Sequence, residues 1–264
     1  YWTFLASSAS GLEVRESKIH AARTGYDGHD LIDMTAFNTD GFDVTGRNVW
    51  IHDCEVWNQD DTIAVKDDSQ DMLFERITAS GVGLTIGSIG NSGVRNITFR
   101  DCTMPQTYKG IYMKFRDSSP DAGGTIADVT FENIRIEEPS QWPIWIGPAQ
   151  QSDSSRLCAA HPCSICWPEL PEATCGTPGG STYVNITLRN VTVVNPKLSP
   201  GVILANSSAP MVNVLFEDVV FENPPIDGVW GTDYFKCENV LGGVATGKTW
   251  PVPPCFEDRT NTRA

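Results

Sequence analysis

Apolar and polar positions along the 264-residue chain recur in a fixed order without a helical period. The window Val49-Trp50-Ile51-His52-Asp53-Cys54-Glu55-Val56 has relatives starting at Leu12, Met72, Ile97, Val129, Ile186 and Val214. The first position is always apolar. So is the third: Val14, Ile51, Phe74, Phe99, Phe131, Leu188 and Phe216. The eighth is Ile19, Val56, Ala79, Met104, Ile136, Val193 or Phe221. The fifth is Glu16, Asp53, Asp101, Asn133, Asn190 or Asp218, with Arg76 the exception. Alternating apolar residues, a polar turn and a second short apolar stretch read as strand, turn, strand. The starts at 49, 72 and 97 lie 23 and 25 residues apart. That is one turn of a parallel β-helix, whose coils stack at roughly 4.8 Å. The predicted fold class is therefore all-β, a single-stranded parallel β-helix. A β-sandwich would make the seven aligned windows a coincidence.

Stacking puts equivalent positions in register. The sixth position gives Cys54, Ile77, Cys102, Ile134, Val191 and Val219, an inward apolar column. Cys54 and Cys102 are thus expected to be buried thiols two coils apart, too distant to bond. The interval from 129 to 186 has room for one more coil around Trp142-Pro-Ile-Trp145-Ile146 and a loop over about 150–180. That loop holds Cys158, Cys163, Cys166 and Cys175, spaced too irregularly for a standard zinc site and better suited to disulfides. Cys237 and Cys255 are expected to bridge and close the tail. One domain spans 1–264, with coils over about 1–222 and a Pro- and Gly-rich cap over about 223–264.

Composition narrows the function. Apolar residues are 40% and charged residues 20%, as in a folded chain, and no apolar run reaches membrane-spanning length. Lys plus Arg total 19 against 33 Asp plus Glu, a net charge of −14. This argues against nucleic acid or an anionic membrane as partner. Eight cysteines and the sequons at Asn96, Asn185, Asn190 and Asn206 point to a secreted, N-glycosylated protein.

Carboxylates gather just before two of the windows. Asp40 and Asp61 are 21 residues apart, close to one coil, with Asp60 beside them. Three adjacent carboxylates cannot all ionise normally, so one holds a proton near neutrality. A proton-holding carboxyl beside ionised ones suits glycoside cleavage. A solvated turn or a calcium site would use the same residue types.

Four blocks then carry a resemblance. Asn38-Thr-Asp-Gly-Phe-Asp43, Asn58-Gln-Asp-Asp61, Gly81-Val-Gly-Leu-Thr-Ile-Gly-Ser-Ile-Gly90 and Gly110-Ile-Tyr-Met-Lys114 resemble, in order and spacing, those of glycoside hydrolase family 28. This is the polygalacturonase family of right-handed parallel β-helices that hydrolyse pectin. The resemblance covers about Tyr1 to Pro225. It implies a pectic polysaccharide as substrate and no cofactor or metal. It makes Asp60 the general acid, and Asp40 and Asp61 the pair that activates water in an inverting reaction, with a wide carboxyl separation. It places Lys114 on the substrate carboxylate, Asn38 beside Asp40, and the stretch containing Val82 and Gly83 against the sugar.

Three departures accompany it. Val82 stands where the family carries histidine, and His20, His29, His52 and His161 lie in no matching motif and read as surface or loop residues. Tyr112 replaces the family's arginine and offers a flat face for a sugar ring. Both features also resemble the rhamnogalacturonan-hydrolase branch, which does not keep the Asn-Thr-Asp block. The chain also begins in mid-coil, which reads as missing N-terminal coils and cap. Lys66, Lys109, Lys114 and Arg116 are expected to offset the acidic balance near the cleft. Other readings compatible with these residues are an inactive sugar-binding relative and a calcium-dependent pectate lyase using Asp40, Asp60 and Asp61 or Asp67, Asp68 and Asp71.

Overall fold

The computed structural model describes residues 2–30, 33–116, 123–148, 179–226 and 232–261. Cys158, Cys163, Cys166, Cys175 and His161 lie outside the described residues. All strand pairings between named strands are parallel, and each coil stacks on the next. One row is made of long strands: β3 (Phe42–Asn58), β5 (Ser69–Ser80), β7 (Gly93–Pro105), β9 (Thr125–Glu137), β11 (Thr182–Val194), β13 (Met211–Glu222) and β15 (Val240–Gly247). The other row is short: β4 (Asp61–Val65), β6 (Gly83–Ile89), β8 (Ile111–Phe115), β10 (Ile144–Gly147), β12 (Gly201–Leu204) and β14 (Phe235–Glu238). β3 joins the two rows, because its Phe42–Val44 segment pairs with β4 and the rest with β5. β1 (Phe4–Arg15) and β2 (Lys18–Ala21) pair with β3, and β16 (Glu257–Thr260) with β15. The topology is the predicted parallel β-helix. Among the described residues no helix is long and apolar enough to cross a membrane.

The fifth position of each window is a bend. Glu16, Asp53, Arg76, Asp101, Asn133, Asn190 and Asp218 all have φ between 50° and 55°. Asp and Asn tolerate this left-handed conformation better than most residues, so they recur there. Arg76 is held there by ion pairs from its guanidinium to Asp53 at 2.8 Å and Glu75 at 2.7 Å. A second row of bends precedes the windows: Asn48, Asp71, Asn96, Asp128, Asn185 and Asn213, with φ of 54° to 58°. The bends are tied coil to coil by side-chain amides. Asn133 donates to Asp101 at 2.8 Å and Asn190 to Asn133 at 2.8 Å. Asn96 donates to Asp71 at 2.7 Å and Asn185 to Asp128 at 2.8 Å.

Inward residues stack likewise. The rings of Phe74, Phe99 and Phe131 lie 4.8 Å apart in succession. Cys54 and Cys102 are buried free thiols, as expected. The coil expected around Trp142–Ile146 is present as β10.

The C-terminal segment departs from the expectation of a non-repeating cap. β14 and β15 continue both rows past residue 222, and β16 adds a further strand. The inward positions of β15 are Gly243 and Ala245, in register with Val214 and Phe216. Phe256 fills the space they leave, its ring 5.0 Å from that of Phe216, and a Cβ on Gly243 would come within 2.7 Å of it. The coil is thus completed by a plug from outside the strand. The disulfide Cys237–Cys255 ties the plug to β14.

Candidate active site

The short row carries a cleft of about 560 Å³ on its outer face. Alternation turns Phe42, Ile63, Leu84 and Ile111 inward in register and points Asp43, Thr85 and Tyr112 outward. Strict alternation would send Asp61 inward with Ile63. It does not, because Asp61 pairs with Gly83 and Ile63 already with Leu84, so β4 spends one extra residue, Thr62. This β-bulge re-aims Asp61 into the cleft. Asp40, on the neighbouring coil, reaches the same place, where Gly41 N donates to Asp61 O at 3.0 Å. One oxygen each of Asp40, Asp60 and Asp61 lies within 4.8 Å of the others.

The carboxylates are held from several sides. Asp60 accepts hydrogen bonds from Asn38 N at 2.7 Å and from Asp61 N at 2.8 Å. Asp61 accepts from Thr85 Oγ1 at 2.8 Å and Lys114 Nζ at 3.1 Å. Asn58 fixes the loop behind them: its side-chain amide reaches the carbonyls of Thr39, Asp60 and Asp61, each at 2.9 Å. Lys66 Nζ lies 3.3 Å from Asp43, 3.9 Å from Asp40 and 4.0 Å from Asp61.

Their electrostatics follow from crowding. Burial, then Asp60 and Asp61, push Asp40 up to about 10, against the opposing pull of Lys66. Burial and Asp61 push Asp60 up to about 6. Asp43 is raised as well, chiefly by burial. The cluster therefore retains a proton at neutral pH and titrates as a unit. Chemically it pairs a proton donor with carboxylate oxygens close enough to share one water, since two hydrogen bonds of about 2.8 Å span up to about 5.6 Å.

The sequence profile of Glycosyl hydrolases family 28 matches residues 2–170. The chain belongs to glycoside hydrolase family 28. It is 28% identical over 251 residues to an endopolygalacturonase of Emericella nidulans, covering 89% of this chain and 59% of that protein. Over 120 residues it is 40% identical to a probable exopolygalacturonase C of Aspergillus niger, covering 41% and 27% respectively. A solved polygalacturonase from Erwinia carotovora ssp. carotovora superposes with a TM-score of 0.55 at 19% identity, over 91% of this chain and 53% of that one. Its fold is the right-handed parallel β-helix expected here. The chain spans less than two thirds of the length of each of these relatives.

Within this family 28 chain, several expected site residues stand elsewhere than the sequence suggested. Tyr112 is fully buried, so no face is open to a sugar ring; Lys114 Nζ sits 4.2 Å above its ring. Lys114 lines the cleft as expected of a site residue, its buried Nζ 3.1 Å from Asp61. Lys109 is also buried, bound to Gln141 at 2.7 Å among Tyr108, Tyr112, Trp142 and Trp145, and does not line the cleft. Val82 packs in the same cluster, so an apolar residue at the family's histidine position extends an apolar patch. Gly83 lies against Gly110 O, which a Cβ would approach to 2.7 Å. A Cβ on Gly81 would meet Asn58 at 2.3 Å and the Asp60 carbonyl at 2.9 Å. These glycines let the coils pack closely around the aspartate loop. Asn38, with φ of 63°, directs its N–H to Asp60, not to Asp40.

Of the histidines, His20 is exposed and His29 lies in a loop, as expected, whereas His52 sits on β3 and is buried. His29 is buried between Asp33 at 2.6 Å and Ser80 at 3.0 Å, stacked on Trp57. His52 is buried beneath Trp50. Asn58, Thr85 and Asp43 were not singled out as site residues, although each lies inside a block that carries the resemblance. Among the described residues, Asp40, Asp60 and Asp61 form the one group that could gather a metal ion; Asp67, Asp68 and Asp71 do not converge.

Proposed function

We propose that the chain hydrolyses the galacturonan backbone of pectin with inversion. Asp60 protonates the leaving glycosidic oxygen, while Asp61, braced by Lys114 and Thr85, draws a proton from a water shared with Asp40. The observation that carries this reading is the convergence of three carboxyl oxygens within 4.8 Å, where burial and Asp61 push Asp60 up towards its proton-holding form. That gap is narrower than the wide separation expected of inverting enzymes, about 6.5–9.5 Å between carboxyl groups, but it admits one water. The relatives named above are polygalacturonases, which favours galacturonan over rhamnogalacturonan.

Time-resolved proton NMR with polygalacturonate and with rhamnogalacturonan tests the proposal, with Asp61→Asn as control. Inverted reducing ends from polygalacturonate alone, absent in the variant, are the expected result. Retained anomers would make one carboxylate a nucleophile. An unsaturated product lost in chelator would mean a lyase, and binding without turnover a sugar-binding relative.

Secretion and N-glycosylation form part of the same proposal, supported by the disulfide Cys237–Cys255. Asn96, Asn185 and Asn190 use their side-chain amides as rungs between coils. In Asn206-Ser-Ser208 the Ser208 hydroxyl donates to Asn206 Oδ1 at 2.8 Å, outside the ladders. Asn206 is therefore the sequon expected to carry the glycan, checked by peptide mass after expression in a eukaryotic secretory host.

A further inference from the structure

Tyr112, Lys114 and Arg116 lie two residues apart, so alternation keeps them on one side of the chain. The Arg116 N–H extends the pairing past β8 by donating to Ile89 O at 2.7 Å. Exposure rises along this row: Tyr112 is fully buried, Lys114 is 2% exposed, and the Arg116 side chain is 49% exposed. The row therefore emerges from the aromatic cluster into the cleft, which Arg116 lines.

Lys66 lies close by along the same wall. Its Nζ donates to Gly87 O at 3.1 Å, and the Arg116 guanidinium donates to the next carbonyl, Ser88 O, at 3.5 Å. The two cations thus flank one short stretch of β6. Their partners differ. Lys66 is shared among Asp40, Asp43 and Asp61. Arg116 has Asp67 at 3.8 Å as its nearest carboxylate among the described residues. Asp67 is itself engaged through its other oxygen by Gly90 N at 2.9 Å and Ser92 Oγ at 2.8 Å. Arg116 is loosely held and can turn to an incoming anion with two parallel N–H groups.

We propose that Arg116, with Lys66 beside it, is the subsite that reads a carboxylate on the ligand, and that this ligand is a uronate unit of an acidic polysaccharide. The inference rests on the pectin reading above and adds to it the residue that tells a free acid from its methyl ester in this chain. It also explains how a chain of net charge −14 accepts a polyanion. A local cation facing solvent at the cleft offsets repulsion that the whole molecule would exert.

The test compares wild type, Arg116→Gln and Arg116→Lys on polygalacturonate and on its fully methyl-esterified form. A lost charge-assisted contact at a half-exposed site is expected to lower kcat/KM on the free acid about tenfold, through KM. The ester should be unaffected, and Arg116→Lys should restore part of the difference. Lys66→Met should impair both substrates, because Lys66 also touches the carboxylates. Equal loss on acid and ester in Arg116→Gln, no loss on either, or a wild-type preference for ester would overturn the subsite. Calorimetry with trigalacturonate separates the two readings. Arg116-dependent binding without cleavage would keep the subsite and sink the hydrolase; cleavage with Arg116-independent binding would do the reverse. No binding by the wild type would sink the subsite too.

Discussion

The two rows of the β-helix put similar side chains to opposite uses. On the outer face of the long row, charges alternate in register: His52, Glu75, Arg100, Glu132, Arg189 and Glu217. Glu75 meets Arg100 at 2.6 Å, and Arg189 meets Glu217 at 2.6 Å and Glu132 at 3.4 Å. Each carboxylate has a cation one coil away, and Glu75 is held below the usual carboxylate range, its arginines and Trp50 outweighing its burial. On the outer face of the short row, four aspartates share Lys66 and Lys114, all but Lys66 buried, and Asp40, Asp43 and Asp60 are pushed up. A matched ladder stabilises the stack. A mismatched one stores a proton. Chemistry arises where the repeat leaves charges unbalanced.

That contrast can be broken most sharply by removing one carboxylate from each row. Asp60→Asn should lower kcat on polygalacturonate by about 10²- to 10⁴-fold, the usual weight of a positioned acid, with circular dichroism unchanged. Glu75→Gln should leave kcat alone. A comparable loss in both would mean that turnover reports on folding of the stack rather than on the cluster.

The pH profile sharpens the same point. Asp60 must carry its proton to act as the acid, so kcat/KM should fall as pH rises through about 6. A profile flat from pH 5 to 8 would remove Asp60 from that role.

Stability should move in opposite directions in the two rows. Asp40 has its folded-state value raised to about 10. Its stabilising contribution is whole below the unfolded value of roughly 3.9 and drains away as pH rises towards 10. Asp40→Asn should therefore stabilise the fold at pH 8 by on the order of 2 kcal/mol and hardly at pH 3.5. Glu75 is lowered, so its contribution is present above its unfolded value of about 4.3 and is lost as pH falls. Glu75→Gln should destabilise by about 1 kcal/mol at pH 7 and little at pH 2.5. Urea titrations at these pH values read all four numbers.

The smallest effect concerns the bends. Asn133→Gly keeps the left-handed conformation and loses two exposed rungs, one to Asp101 and one from Asn190, about 1 kcal/mol together. Asn133→Ala should cost roughly 1 kcal/mol more, for the strain of its Cβ. Equal melting temperatures would mean that the rung, not the bend, explains Asn at this position.

Much of this architecture was legible because each coil repeats one local rule. Positions three and eight of the window point inward, and the polar fifth position is the bend. The last coil was hidden for a physical reason. Its inward positions are Gly243 and Ala245, and the missing volume arrives with Phe256, so no apolar alternation remains to be read. In the site, the spacing of Asp40 and Asp61 brought them together as expected. What spacing could not show was depth. Tyr112, Lys114 and Lys109 look like surface residues in the sequence, yet they are buried. Nor could it show that Asn38 serves Asp60 through its backbone.

The extra residue at Thr62 has a consequence for how such chains change. The cleft depends on a length as well as on residue types, because the mismatch of two steps on β4 against one on β6 sets which face Asp61 occupies. One residue added between Gly83 and Leu84 would give Thr62 a partner, restore the alternation and drive the Asp61 carboxylate into the apolar interior, with all three aspartates still written in the chain. In a solenoid of near-identical turns, a site can thus be installed or erased by a frameshift in space: one residue gained or lost in a single turn, with the remaining turns untouched.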